Sequence, residues 1–184
     1  MQQWQWIPNA LSIFRVLLVA PFAWALADGY YHEALLLFVI AAVTDGLDGF
    51  LARFFNWRSR LGAILDPLAD KLLLVTTYLA LSLTGVFPFW LFVLVLGRDL
   101  LIVLGAVLFH RFVGQFDVEP SAFGKLNTLV QILAAVAVMS HQAGVPLPDR
   151  TGDLALWAVV IMALISGGHY VAIWGVRALR GRTS

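Results

Sequence analysis

Four aspartates stand close together in a chain that otherwise carries few charges. The sequence of 184 residues is 61% hydrophobic and only 12% charged, yet residues 45–70 hold two acidic pairs, Asp45 with Asp48 and Asp66 with Asp70. Carboxylates favour hard divalent cations such as Mg²⁺, which keep open positions for a substrate phosphate. Two such ions can share four acids. The residue types therefore indicate metal-assisted phosphate chemistry.

The spacing of each acidic pair predicts that its two carboxylates share one face of a helix. Asp45 and Asp48 are three residues apart, and Asp66 and Asp70 are four apart. The apolar segments that carry the pairs are joined by the short basic stretch RFFNWRSR and must run antiparallel. At a rise of about 1.5 Å per residue, Asp45 and Asp70 lie roughly 12 to 15 Å from that stretch, and Asp48 and Asp66 roughly 7 to 9 Å. We expect the four carboxylates to meet near one membrane surface.

The elements that must position these acids are predicted to be transmembrane helices. The mean hydropathy of +0.86 is far above that of a soluble domain of this size. Apolar windows of about 20 residues, the length that crosses a bilayer, occur approximately at 9–27, 33–52, 61–83, 88–109, 122–140 and 154–175. We therefore predict an all-α integral membrane protein with six transmembrane helices in a single domain, 1–184. A short interfacial segment containing Trp4 and Trp6 is expected at its N-terminus.

The positive residues are distributed unevenly among the connections between these windows. Arginines concentrate between the second and third windows, after the fourth and in the tail, whereas the alternate connections carry only Arg150. By the positive-inside rule, both termini and the acidic site face the cytoplasm. A cleavable signal peptide ending at ALAD is disfavoured because Arg15 and Pro21 interrupt the apolar run. The compact size and the lack of a transit peptide favour a bacterial plasma (inner) membrane.

Acids inside a bilayer need a compensating positive charge, since an ionised aspartate costs about 3 kcal/mol at the bilayer centre. The candidate cations inside the apolar windows are Arg15, Lys71 and Arg98. None of the three is required by its position in the sequence to lie among the acids. Divalent metal ions are therefore the economical compensation.

Three other interpretations of the acidic stretch remain open. The DG dipeptides could form a turn that ends the second helix early and leaves the acids in water. Pro67 could begin the third helix with Asp66 as its N-cap, which would weaken the metal role of Asp66 alone. Intramembrane acids also serve as proton or cation relays in transporters, although relays rarely need glycines between the acids.

Taken together, eight positions match the pattern D-x-x-D-G-x-x-A-R-x8-G-x3-D-x3-D, which resembles the motif of the CDP-alcohol phosphatidyltransferases. The positions are Asp45, Asp48, Gly49, Ala52, Arg53, Gly62, Asp66 and Asp70. The stretch IPNALSIFR is similar to the family's P-N-x-L-T-x-x-R opening, and FGKLNTLVQI to its G-K-x-x-T-x-x-Q segment. The resemblance covers roughly residues 7–135.

This resemblance implies a six-helix, homodimeric membrane enzyme that transfers a phosphatidyl group from CDP-diacylglycerol to an alcohol and releases CMP. It implies that two divalent cations, Mg²⁺ or Mn²⁺, are held by Asp45, Asp48, Asp66 and Asp70. Asp70 would also be the general base. The site for CDP-diacylglycerol would be formed by Gly49, Ala52, Arg53 and Gly62, the last by keeping the helices close.

The acceptor is expected to be a glycerol-type molecule, and Lys125 and Arg98 are the candidate residues to bind it. Each has an alternative role: for Lys125 this is to extend to the membrane interface, and for Arg98 it is to pair with Asp99 or with a motif acid. The stretches GRDLL and KLNTLVQ resemble CMP-forming cardiolipin synthases, which favours phosphatidylglycerol as the acceptor. The alternative acceptor is glycerol 3-phosphate, as in phosphatidylglycerophosphate synthases.

Overall fold

The computed structural model describes the backbone of residues 7–55, 62–112 and 121–180. Within those ranges it describes the side chains of residues 10–47, 54–55, 68–105, 107 and 121–173. The described chain forms six α-helices: α1 (Ile7–Ala27), α2 (Tyr31–Phe54), α3 (Gly62–Leu83), α4 (Phe89–Phe112), α5 (Ala122–Gln142) and α6 (Thr151–Arg180). The interfacial segment predicted around Trp4 and Trp6 lies outside the described residues.

The helix boundaries exclude two of the three alternative interpretations of the acidic stretch, the turn at the DG dipeptides and the N-cap at Asp66. Helix α2 continues without a break from Tyr31 to Phe54, so the DG dipeptides lie inside a helix and form no turn. Helix α3 begins at Gly62, several residues before Pro67, so Asp66 is not an N-cap. Both acidic pairs therefore lie on continuous helices, as their spacing predicts.

Tight turns join the helices at the end of the molecule opposite the acidic stretch. Three glycines in these turns adopt positive φ angles: Gly29 at 79°, Gly85 at 78° and Gly144 at 86°. At Gly29 the following amide, that of Tyr30, donates to the carbonyl of Ala25 over 2.8 Å and closes the end of α1. A side chain would strain this left-handed backbone, so glycine permits each helix to reverse within a few residues.

Helix α1 packs extensively against both α2 and α3, whereas α5 packs mainly against α6, and α4 lies against α6 and α3. Aromatic side chains fill the places where these helices meet. The rings of Tyr78 and Phe87 stack at 5.8 Å between centroids, and those of Phe22 and Phe38 approach to 5.9 Å. All four side chains are almost completely buried. The position of α1 against both acid-bearing helices is the feature of the fold that matters most for the site.

The outer surface of the molecule is strongly apolar. Large side chains such as Leu17, Leu133 and Leu164 are more than half exposed. Among the residues described, three segments are long and apolar enough to cross a membrane: Ala10–Ala27, Ala122–Gln142 and Thr151–Ile173. Such a surface is suited to lipid rather than to water. The prediction of an all-α integral membrane protein is confirmed.

Candidate active site

Asp45 of α2 and Asp70 of α3 meet at the side chain of Arg15 from α1. The Nη1 atom of Arg15 lies 2.6 Å from Oδ1 of Asp45 and 2.7 Å from Oδ1 of Asp70. Because both oxygens contact the same nitrogen, the two carboxylates lie within roughly 5 Å of each other. The predicted convergence of α2 and α3 is thus observed for the deeper acid of each pair.

The remaining motif residues belong to the same two helices, but their side chains lie outside the described residues. These are Asp48, Gly49, Ala52 and Arg53 on α2, and Gly62 and Asp66 on α3. Their roles in binding metal and CDP-diacylglycerol stay predictions. The backbone of both helices continues through these positions.

Arg15 is the residue that sequence reasoning did not place. Its side chain is only 1% exposed, whereas those of Asp45 and Asp70 are 44% and 50% exposed. No spacing rule connects residue 15 with residues 45 and 70, so the packing of α1 against both helices was needed to find the contact. Two signals were present: an arginine inside an apolar run, and the stretch IPNALSIFR, which ends at this residue.

Lys71 does not neutralise the acid beside it in the sequence. Its Nζ donates to Oδ2 of Asp99 on α4. Adjacent residues on a helix point about 100° apart, which takes Lys71 away from the face that carries Asp70. The Lys71–Asp99 ion pair thus links α3 to α4 beside the acidic site.

Arg98, a candidate for binding the acceptor, is buried and has several partners within the protein. Its Nη1 donates to Oδ1 of Asp99 over 2.8 Å, and its Nη2 donates to Oγ of Ser166 on α6. The ring of Tyr170 lies 6.0 Å from the guanidinium carbon. The pairing with Asp99 that was considered as its alternative role is present, and acceptor binding by Arg98 stays a prediction.

Lys125, the second acceptor candidate, lies exposed in the first turns of α5. The start of this helix is well defined: Ser121 is its N-cap, and the Ser121 Oγ accepts from the amide of Gly124 over 3.0 Å. The amide of Ser121 in turn donates to the hydroxyl of Tyr170 over 3.1 Å. The amino end of α5 is thereby fixed to α6, and Lys125 projects from a fixed position.

Two buried amides on α5 were not predicted as site residues. Asn127 and Gln131 are four residues apart and at most 1% exposed. Among the residues that the structure describes, neither polar atom of the Asn127 side chain has a hydrogen-bond partner, and the same is true of Nε2 of Gln131. The backbone carbonyl of Gln131 accepts from the hydroxyl of Tyr78 on α3 over 3.0 Å. Unsatisfied buried amides are costly, which makes this polar pair unusual in a membrane helix.

The chemistry of the donor set fits a hard divalent cation. Asp45 and Asp70 are close together and half-exposed, so they present carboxylate oxygens at an accessible surface. No cluster of three or more acidic, histidine or cysteine side chains occurs among the described side chains, to which Asp48 and Asp66 do not belong. The two visible carboxylates are part of the predicted set of four.

Comparison with known proteins identifies the family. The family model described as CDP-alcohol phosphatidyltransferase matches residues 5–166. The chain is 33% identical to the "CDP-diacylglycerol--glycerol-3-phosphate 3-phosphatidyltransferase" of Bacillus subtilis, over 87% of this chain and 86% of that protein. It is 36% identical to the "Probable phosphatidylglycerophosphate synthase" of Mycobacterium tuberculosis, over 95% of this chain and 82% of that protein.

A third relative carries a different name. The human "Cardiolipin synthase (CMP-forming)" is 32% identical over 73% of this chain and 50% of that protein. The family model extends through the acidic stretch and well beyond it on both sides. Since the family model and the bacterial relatives both span most of the sequence, this chain belongs to the CDP-alcohol phosphatidyltransferases, the family that its motif resembles.

Proposed function

We propose that this membrane enzyme transfers the phosphatidyl group of CDP-diacylglycerol to glycerol 3-phosphate at the site formed by Asp45 and Asp70. The family transfers phosphatidyl groups from CDP-diacylglycerol, and the relatives named above act on glycerol-type acceptors by their names. The observation that supports this site most directly is the meeting of the α2 and α3 acids at one Arg15 nitrogen.

The family uses divalent metals, and the residues of this chain suit two of them. Asp45, Asp48, Asp66 and Asp70 would hold two ions, Mg²⁺ or Mn²⁺. When bound, these ions would neutralise the donor diphosphate and stabilise the leaving CMP. The half-exposed carboxylates of Asp45 and Asp70 are consistent with access for both the ions and the substrate phosphates.

The transfer needs one bond to form and one to break at the phosphorus of the phosphatidyl group. The acceptor hydroxyl oxygen attacks this phosphorus, and the bond between the phosphorus and the bridging oxygen of the diphosphate breaks to release CMP. The carboxylate of Asp70 would accept the proton of the attacking hydroxyl. The CDP part of the donor would be bound by Gly49, Ala52, Arg53 and Gly62.

Glycerol 3-phosphate is favoured as the acceptor by the name of the Bacillus subtilis relative. The Bacillus subtilis protein is named for this acceptor and aligns with most of both chains, whereas half of the human cardiolipin synthase lies outside its match. Phosphatidylglycerol is the second candidate, supported by the GRDLL and KLNTLVQ stretches and by the name of the human relative.

Both acceptors carry a phosphate, which needs a cation at the site. Lys125 is exposed at the fixed amino end of α5 and would contact this phosphate directly. Arg98 is held between Asp99 and Ser166, so it would contribute by placing its positive charge near the same helix end.

The cellular setting follows from the charge distribution and the fold. We place both termini and the active site on the cytoplasmic side of a bacterial plasma membrane, since the arginines are concentrated in the tail and in the connections that the positive-inside rule assigns to that side. The chain would act as one domain, 1–184, and as a homodimer. Acyl chains of the donor would remain in the bilayer while its cytidine reaches water.

Identification of the lipid product tests the acceptor. Purified protein in lipid nanodiscs is supplied with CDP-diacylglycerol, Mg²⁺ or Mn²⁺, and either glycerol 3-phosphate or phosphatidylglycerol, and the products are identified by mass spectrometry. We expect phosphatidylglycerophosphate from the first mixture. Cardiolipin formed only from the second mixture would establish the second candidate. The alternative function is that of an ion-coupled transporter, in which the intramembrane acids relay protons or cations. Such a protein would form neither lipid and would move solute across the membrane of sealed vesicles.

A further inference from the structure

Arg15 occupies the position between two acids where a bound cation would be expected. It is the only described side chain seen to contact both Asp45 and Asp70, and it does so through a single nitrogen at 2.6 and 2.7 Å. The guanidinium comes from a third helix, α1, which packs against both α2 and α3. The contact therefore joins three helices at one point.

The charge of Arg15 is permanent. A guanidinium is not deprotonated in proteins, so its buried side chain carries one positive charge in every state of the enzyme. Burial of such a charge is costly unless carboxylates pair with it. Conversely, Asp45 and Asp70 would repel each other at this separation if no cation lay between them. Arg15 thus does for the two acids part of what a metal ion would do.

We propose that Arg15 is a tethered counter-ion that holds Asp45 and Asp70 together in the absence of metal and competes with divalent cations for them. This inference rests on the proposed function, since it requires that these acids bind metal. Arg15 acts as a positioning residue, because it contacts the acids and sets how tightly the ions bind.

Two physical effects make the arginine and the metal antagonists. A fixed positive charge within a few ångströms of a divalent ion opposes its binding, and the burial of the Arg15 side chain limits how far water screens that charge. In addition, the Oδ1 atom of each carboxylate forms an ion pair with Nη1 of Arg15, which makes this oxygen less available as a metal ligand. Removing the charge should therefore tighten metal binding.

The same change should slow the reaction. With Arg15 neutralised, the site loses a positive charge that favours a diphosphate substrate, and the two acids lose the group that fixes their separation. Tighter metal binding together with slower turnover is a combination that general disruption of the fold does not produce, because a disordered site binds metal more weakly.

Mn²⁺ binding, measured by electron paramagnetic resonance on purified protein without lipid substrate, tests the proposal. We expect Arg15→Gln to lower the Mn²⁺ dissociation constant by at least about tenfold relative to the unmodified chain. Arg15→Lys retains the positive charge, so its Mn²⁺ dissociation constant should stay within about threefold of that of the unmodified chain. Arg150→Gln, a change at an exposed loop arginine, should leave the constant unchanged.

Equal or weaker Mn²⁺ binding by a folded Arg15→Gln variant would overturn the proposal and leave the proposed function standing. Absence of Mn²⁺ binding and of CMP release in the unmodified chain would overturn both. If Arg15→Gln is too unstable to purify without metal, it can be purified with Mn²⁺ and its thermal midpoint compared before and after chelation. The fall in midpoint should then exceed that of the unmodified chain, and an equal or smaller fall would contradict the inference.

Discussion

Arg15 and Asp70 are joined by a 2.7 Å contact although 55 positions separate them in the chain. Helix α1 carries no acid of the motif, but through this contact it supplies the positive charge at which the acids of α2 and α3 meet. Residue pairs that are so distant in sequence and so close in space indicate a site assembled by helix packing.

Asp45→Asn should reduce CMP release from CDP-diacylglycerol by at least about a hundredfold, since the amide removes a negative charge from the metal-binding set. The measurement is CMP formation by purified protein at saturating Mg²⁺. Asp153→Asn is the matched control: this exposed acid lies in the first turn of α6 and should leave the rate unchanged. Comparable rates of CMP release for the two variants would show that Asp45 does not belong to the active site.

The sequence predicts the six helices within a few residues, because their apolar windows and the glycine turns are both local features. It also predicts that Asp45 and Asp70 approach each other, since their distances from the connecting stretch match. It does not predict that Arg15 lies between them, that Lys71 pairs with Asp99, or that the amide of Asn127 is buried. These facts depend on the rotation of α1, α4 and α5 about their axes, which no local pattern determines.

Asn127→Leu should stabilise the protein by about 1 to 3 kcal/mol, because both polar atoms of this buried side chain lack hydrogen-bond partners in the described part of the chain and leucine has the same branching. Chemical or thermal unfolding in detergent measures the change. Gln142→Leu, a polar-to-leucine change at the exposed end of the same helix, should have little effect. A loss of stability on replacing Asn127 would show that the amide has a partner in the native state.

Gly124→Ala and Gly168→Ala should change stability in opposite directions. A Cβ atom at Gly124 would lie 3.1 Å from the hydroxyl of Tyr170 and 3.3 Å from Oγ of Ser121, so it would disturb the hydrogen bonds that fix the start of α5. A Cβ at Gly168 meets nothing within 4 Å, so alanine should stabilise α6 by roughly 0.5 to 1 kcal/mol. The thermal unfolding midpoints of the two variants, measured under the same conditions, test this prediction. A higher midpoint for both variants would contradict the tight packing around Gly124.

Orientation in the membrane can be measured directly because the chain contains no cysteine. Asp149→Cys places a single thiol in the loop between α5 and α6, and Ser184→Cys places one at the C-terminus. The positive-inside rule predicts that a membrane-impermeant maleimide labels the first in intact cells and the second only after permeabilisation. Labelling of Ser184→Cys in intact cells would reverse the proposed orientation and move the acidic site to the opposite surface.

The most direct test of phosphatidyl transfer at the Asp45–Asp70 site is CMP release from CDP-diacylglycerol by the unmodified chain and by Asp70→Asn, each with Mg²⁺ or Mn²⁺ and then with a chelator. We expect CMP release that stops on chelation, and a rate for Asp70→Asn lower by at least about a hundredfold. Metal-independent CMP release, or an Asp70→Asn variant as fast as the unmodified chain, would rule out metal-dependent transfer at Asp70.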